Sequence, residues 1–219
     1  MTPQEQAEEE AFRRLYGPWE PLLPDQVAGF LAEFDAPWWL VGGWSIEAFT
    51  GLARPHEDID VVVFRRDLPR LRTALAPLHL WSAGAGALRP LNDDWPDVHP
   101  DAGQVWVREH ALAPWLADVI LQDDDGAGRW VNKRWAEHVA DLQDVTWVAD
   151  DGIRYLLPEV ALLHKARLDR PKDRRDLGAT WPLLSLAQQD WLVAGVVATE
   201  PADHPWQVLA SGSLPPAPG

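Results

Sequence analysis

Residues 41–63 read VGGWSIEAFTGLARPHEDIDVVV, and the rest of the chain is understood from this stretch. A glycine pair, Gly42 and Gly43, lets the backbone approach a ligand with no Cβ in the way. The amides of Gly43, Trp44 and Ser45 then open a helix, and such an N-terminus offers unpaired N–H groups and a positive dipole end to an anion. The helix is expected over Ser45–Thr50, with Ile46 and Phe49 inward and Gly51 as its C-terminal stop. LARPHE is loop, and DIDVVVF reads as the clearest strand in the chain. Strand side chains alternate faces, so Asp58 and Asp60 project to one side and Ile59 to the other. Two ionised carboxylates this close repel each other unless a proton or a cation intervenes. Hard oxygens at that spacing suit Mg²⁺, which takes one or two carboxylates and completes its shell with substrate phosphates.

Outward from this stretch the elements are legible. WWLV at 38–41 is a short buried strand, preceded by a helix that Asp25 is placed to cap and that runs through Phe34, with Val27, Phe30, Leu31 and Phe34 on its apolar face. Residues 4–15 are expected as an exposed helix that the prolines of PWEPLLP interrupt. Asp67 is placed to cap a helix reaching Ala76, and LHLWSAG follows as a strand. Ala83–Asp101, rich in Gly, Pro, Asn and Asp, reads as one long loop. QVWVREH and WLADVILQ are two more strands, DDDGAG is a turn, and RWVNKR is read as the return strand of a hairpin. LPEVALLHKARL is a helix with a proline in its first turn and Val160, Leu163 and Leu168 near one face. RPK breaks it, Asp173 and Asp176 form a capping-box-like start to another helix, and a last helix spans Ala187–Thr199. The expected fold class is α/β (α+β): a mixed β-sheet with flanking helices over 1–150, a C-terminal helical region over 151–210, and a disordered tail over 211–219.

Composition narrows the function. Of 219 residues, 47% are hydrophobic, enough for a self-sufficient core. The absence of cysteine excludes disulfide and thiolate chemistry and points to a reducing cytoplasm. No apolar run reaches membrane-spanning length, and the acidic start MTPQEQAEEE is unlike a signal peptide. A net charge of −15 argues against a general grip on nucleic acid and suits either a cationic small substrate or simply a soluble surface. The 14 tryptophans are unusual without by themselves meaning ligand stacking. Those that are exposed would be natural material for an interface, and the oligomeric state stays open.

GGWSIEAFTGLARPHEDIDV resembles the signature of polymerase-β-type nucleotidyltransferases, which join a glycine turn to a paired-acid strand. Its finer pattern is similar to the small branch that adenylylates aminoglycosides and lincosamides, and LPEVALLHKARLDRPKDRRDL echoes a helical segment of many superfamily members. The resemblance implies that Asp58 and Asp60 hold Mg²⁺ and that Gly43 and Ser45, within the turn Gly42–Ser45 that includes Trp44, touch the triphosphate of ATP. It implies a third carboxylate on a neighbouring strand, as metal ligand or base; Asp118, the sole charge in WLADVILQ, is the choice, with Asp97, Asp101 and Glu109 as fallbacks. The implied reaction is in-line attack of an acceptor hydroxyl on the α-phosphorus, with pyrophosphate leaving.

Each residue also has a plainer reading. Asp118 can be a buried acid paired with an arginine. Arg54 can meet a phosphate or neutralise Glu57, and Lys165 can reach the triphosphate or be a solvated helix lysine. His56 can orient an acid or belong to loop structure, Arg134 can face the nucleotide, and Asp173 with Asp176 is most simply a helix cap. The expected activity is transfer of AMP from ATP to a small molecule. A protein acceptor, as in toxin–antitoxin nucleotidyltransferases, and a non-catalytic nucleotide-binding module are the alternatives.

Overall fold

The structure, a computed structural model, describes residues 10, 11, 13–84 and 86–216. The expected helix at 4–15 therefore lies largely outside the described residues, although 10, 11 and 13–16 are helical. In chain order the elements are α1 (Pro24–Phe30), β1 (Trp38–Leu40), α2 (Gly42–Thr50), β2 (Asp60–Phe64), α3 (Leu68–Ala74), β3 (His79–Gly84), β4 (Ala87–Pro90), β5 (Ala102–Arg108) and β6 (Trp115–Gln122). They continue with β7 (Trp130–Val131), β8 (Val139–Ala140), α4 (Leu142–Val145), β9 (Thr146–Val148), β10 (Arg154–Leu156), α5 (Pro158–Ala166), α6 (Pro171–Thr180) and α7 (Leu186–Thr199). The α/β class expected from the sequence is the class found.

The chain folds as two compact units: residues up to Trp38 with His56–Leu121, and Trp39–Pro55 with the residues from Gln122 onward. The units interleave along the sequence. The reason is packing: α2 lies against α5, α6 and β10, elements more than a hundred residues downstream.

In the first unit the strands run in the order β4-β3-β5-β6-β2, with β4, β3, β5 and β6 each antiparallel to its neighbour. The run Val61–Phe64 is buried throughout, which is why it reads as continuous apolar sequence rather than as alternation. Val27, Leu31, Leu71, Val105, Val107, Val119 and Leu121 complete this core. Trp19, Trp81, Trp106 and Trp115 make edge-on and tilted contacts, with the Arg108 guanidinium 4.7 Å and 4.3 Å from the Trp81 and Trp115 ring centroids. These tryptophans are packing material.

Two expectations in this unit are corrected. The long loop 83–101 contains β4, whose Arg89 and Leu88 pair with Ser82 and Ala83 of β3, so among its described residues the irregular ones are Gly86 and 91–101. Asp67 stands at the N-cap of α3 without a capping hydrogen bond; it lies 3.8 Å from Arg70 and 3.9 Å from Arg66 instead.

In the second unit β1 is parallel to β10, which is antiparallel to β9. Trp39, Leu40, Tyr155, Leu162, Leu163, Leu192, Val196 and Trp206 form its core. At Gly195 an added Cβ would come 2.9 Å from the Leu163 side chain, so the glycine permits the close approach of α7 to α5. The strand in RWVNKR pairs with β8, and it also turns back on the preceding segment through the antiparallel Asp124–Trp130 bridge and the Gln122 side-chain amide, which donates to the Val131 carbonyl at 2.8 Å. Leu168 lies beyond the end of α5 and is exposed, because the helix stops at Ala166. Of the expected disordered tail, residues 217–219 lie outside the described residues, while the Pro216 carbonyl accepts a hydrogen bond from Arg174 at 3.1 Å.

Candidate active site

In the first unit, β2 begins at Asp60, two residues later than the sequence reading, so Asp58 and Ile59 precede the strand. The alternation still holds: Ile59 is 0% exposed, whereas Asp58 is exposed and Asp60 half-buried. Asp118 lies in β6, the strand beside β2, and is 7% exposed. Its amide donates to the Ile59 carbonyl at 3.1 Å, which sets the Asp118 backbone against the residue between the two acids. Gln104 of β5 donates its side-chain amide to the Asp118 carboxylate. Asp118 is directly opposite Trp106, so Gln104 reaches it as the diagonal neighbour on the same face. The rival reading, an arginine partner for Asp118, is not what this hydrogen bond provides. The fallback acids Asp97, Asp101 and Glu109 are exposed, with Asp101 3.8 Å from His99.

Among the described residues no group of three or more His, Cys, Asp or Glu side chains is arranged to hold a metal ion. The acids expected to serve Mg²⁺ differ in burial: Asp58 is exposed, Asp60 half-buried and Asp118 buried, the first two being oxygen donors outside the core. Their chemistry fits an ion that keeps several waters and binds through one or two carboxylates plus phosphate oxygens.

In the second unit, α2 starts at Gly42, three residues before the expected Ser45. Gly42 has φ 69°, a left-handed conformation in which a Cβ is strained, so the first glycine of the pair is required by the turn itself. The preceding residue, Val41, is extended and supplies no side-chain cap to the helix. The first-turn amides are the groups that an anion would meet. Ser45 is 0% exposed and its hydroxyl donates to the Gly42 carbonyl at 3.0 Å, so it closes the turn. Gly43 and Trp44 are half-buried, and Gly51 ends the helix at φ 70° as expected.

Arg54 and Lys165 both have carboxylate partners in the second unit. Arg54 does not turn to Glu57: its Nε and Nη2 donate to the two carboxylate oxygens of Asp176 at 3.0 Å each, and its amide donates to Glu47 at 3.1 Å. Lys165 is buried rather than solvated, with Nζ 2.8 Å from Asp176 and 3.3 Å from Asp173. Asp173 does serve the start of α6, accepting from the Arg170 amide at 3.1 Å, and it also pairs with the Arg170 guanidinium at 2.8 Å. Burial alone would raise the Asp173 carboxyl; the Arg170 hydrogen bond and the Lys165 and Arg170 charges hold it below the usual range instead. Asp176 lies past the first turn of its helix and caps nothing.

The sequence reading passed over Gln104 and the pair Asn132 and His164. Asn132 Oδ1 lies 3.1 Å from His164 Nε2 and also accepts from the amides of Arg134 and Trp135. Burial and then the nearby charges of Arg134 and Lys133 push His164 down to about 3. Arg134 itself is exposed, and burial with the Arg167 charge lowers its pKa. No local signal marks these residues, because each partner comes from a distant element.

Residues 25–80 match the sequence model of the aminoglycoside-2''-adenylyltransferase family. The matched segment covers the glycine turn and both Asp58 and Asp60. A comparison with curated proteins gives no match. Among solved structures, the lincomycin-bound lincosamide antibiotic adenylyltransferase LnuA aligns with 17% identity over 73% of this chain and 94% of that one, with a TM-score of 0.48. The antibiotic-resistance factor ANT(2'')-Ia in solution aligns with 15% identity over 78% and 88%, with a TM-score of 0.49. A nucleotidyltransferase-like protein from Paracoccidioides brasiliensis aligns with 16% identity over 87% and 91%, with a TM-score of 0.45.

Proposed function

We propose that this protein is a Mg²⁺-dependent nucleotidyltransferase that moves AMP from ATP to a hydroxyl of a small molecule, with aminoglycosides or lincosamides as the acceptor class. The observation that carries the reading is the succession along the sequence, within residues 42–60, of a helix opened by a left-handed glycine without a side-chain cap and two acids flanking a buried isoleucine. The family match over the same residues supports it. No helix among the described residues is long and apolar enough to cross a membrane.

The residues divide the work. The first-turn amides of α2 take the phosphates, and Gly42 keeps that approach clear. Asp58 and Asp60 hold Mg²⁺, which when bound neutralises the charge that builds up on the phosphates. Asp118, oriented by Gln104, receives the proton of the acceptor hydroxyl. The hydroxyl oxygen bonds to the α-phosphorus, the bond from that phosphorus to the bridging oxygen breaks, and pyrophosphate leaves. The protein contributes mainly position and charge compensation. A net charge of −15 suits a cationic acceptor.

The test is incubation with labelled ATP, Mg²⁺ and panels of antibiotics or whole-cell lysate. Pyrophosphate release with a labelled antibiotic is the expected result. A labelled protein band moves the acceptor to the protein class, and ATP binding without transfer makes the chain a non-catalytic module. Asp58→Asn, which removes charge without volume, is expected to abolish Mg²⁺-dependent turnover with an unchanged melting temperature. Normal turnover in that variant refutes the metal assignment.

A further inference from the structure

Three cations and two carboxylates of the second unit form one linked set: Arg54, Lys165 and Arg170 around Asp173 and Asp176. The carboxylates are the deepest members, at 0% exposure for Asp173 and 4% for Asp176. Asp176 binds both the Arg54 fork, at 3.0 Å through each oxygen, and Lys165, at 2.8 Å. It thereby joins three pieces of chain: α5 through Lys165, α6 on which it sits, and the segment that leaves α2 at Gly51.

At the start of that exit segment the Leu52 amide donates to Thr50 Oγ1 at 3.3 Å. Gly51 ends the helix in a left-handed conformation, and residues 52–55 have no regular structure. Arg54 is the fastening: its amide returns to Glu47 of α2, its Nε and Nη2 go to Asp176, and its Nη1 donates to the Pro55 carbonyl. Three of the five N–H donors of this guanidinium are thereby engaged inside the unit. Buried charge is costly unless its geometry is satisfied, and its best-attested use is to specify one arrangement among several.

We propose that Asp176 is a positioning residue: through Arg54 and Lys165 it fixes α2, and with it the first-turn amides that form the phosphate cradle. The assignment of that cradle rests on the transferase reading; the mechanical link does not.

The experiment compares wild type, Asp176→Asn and Arg54→Lys by amide hydrogen exchange without nucleotide. Arg54→Lys keeps the charge and loses the fork, and it serves where Asp176→Asn does not fold. Exchange over residues 42–54 is expected to rise about tenfold in either variant, with α7 held within about twofold. Unchanged exchange over 42–54, or an equal rise in every element, overturns the proposal, the second being what a general stability role produces. In pyrophosphate release, Arg54→Lys is expected to lower kcat about tenfold while the ATP KM moves less than about threefold. A tenfold or larger rise in KM with unchanged exchange makes Arg54 a phosphate ligand and also overturns it. A wild type that releases no pyrophosphate sinks the transferase reading alone, and the exchange pattern still decides the role of Asp176.

Discussion

Gln104 and Asp118 meet across two antiparallel strands, not as opposite partners but on the diagonal: Asp118 faces Trp106, and the Gln104 side chain spans the extra step to donate to its carboxylate. The Gln104 amide restrains the orientation of the Asp118 carboxylate, as a proton acceptor or a metal ligand requires.

The first prediction concerns this pair. Asp118→Asn is expected to lower transfer at least about 100-fold while the protein stays folded. Gln104→Leu, which frees the carboxylate without removing it, is expected to cost about tenfold. Pyrophosphate release and thermal melts read both. An Asp118→Asn protein that turns over normally but melts earlier assigns the residue to stability.

The two ends of α2 separate backbone strain from function. Gly51 has φ 70° and an added Cβ meets nothing within 4 Å, so Gly51→Ala is expected to destabilise by about 1 kcal/mol with activity retained. Gly42→Ala carries a similar backbone cost, about 1 kcal/mol, and is also expected to weaken ATP binding, because the methyl group stands at the cradle. Urea titration and nucleotide binding distinguish the two. Equal ATP affinity in both variants would argue against the cradle.

Lys165→Met removes the cation shared by two buried carboxylates. Breaking a buried pair on one side is expected to destabilise by about 3 kcal/mol. Asp173 adds a pH signature. Its carboxyl is depressed in the folded state, so its contribution is present above the ordinary carboxylate value near ~3.9 and is lost as pH falls through the lower folded value. Denaturation midpoints of wild type are therefore expected to drop below about pH 4, and those of Asp173→Asn to drop less steeply there. Parallel profiles would contradict the assignment.

His164 acts in a different window. The folded imidazole is depressed to about 3, while the unfolded one titrates near ~6.5. Between those values the unfolded chain takes up a proton that the folded chain refuses, so stability is expected to fall as pH drops from about 6.5 toward 3. His164→Gln should flatten that slope between about pH 6.5 and 4.5, where Asp173 does not titrate. Urea midpoints across that range decide it, and an unaltered slope in the variant would exclude His164 as the cause.

Much of the architecture was written locally. The buried run Val61–Phe64, the alternation around Ile59, the glycine stop at Gly51 and the proline start of α5 depend on neighbours in sequence, so hydrophobic period and turn chemistry place them. The misjudged parts have equally specific causes. β4 is four residues of ALRP, too short and too mixed to announce itself outside its hairpin with β3. Asp67 has the residue type of a cap, yet arginines stand within ion-pair reach of its carboxylate.

By itself, then, the sequence determined the turn at Gly42, because a left-handed backbone needs glycine, and it named the acids at 58 and 60 as the donors of the proposed metal site. It did not determine which charges are already engaged. Only the tertiary structure decided that Arg54 and Lys165 belong to Asp176 and Asp173, and that Gln104 belongs to Asp118. A charge selects its partner by distance and burial, and for residues as far apart as 54 and 176 those are set by helix packing and strand register rather than by anything in the neighbouring sequence.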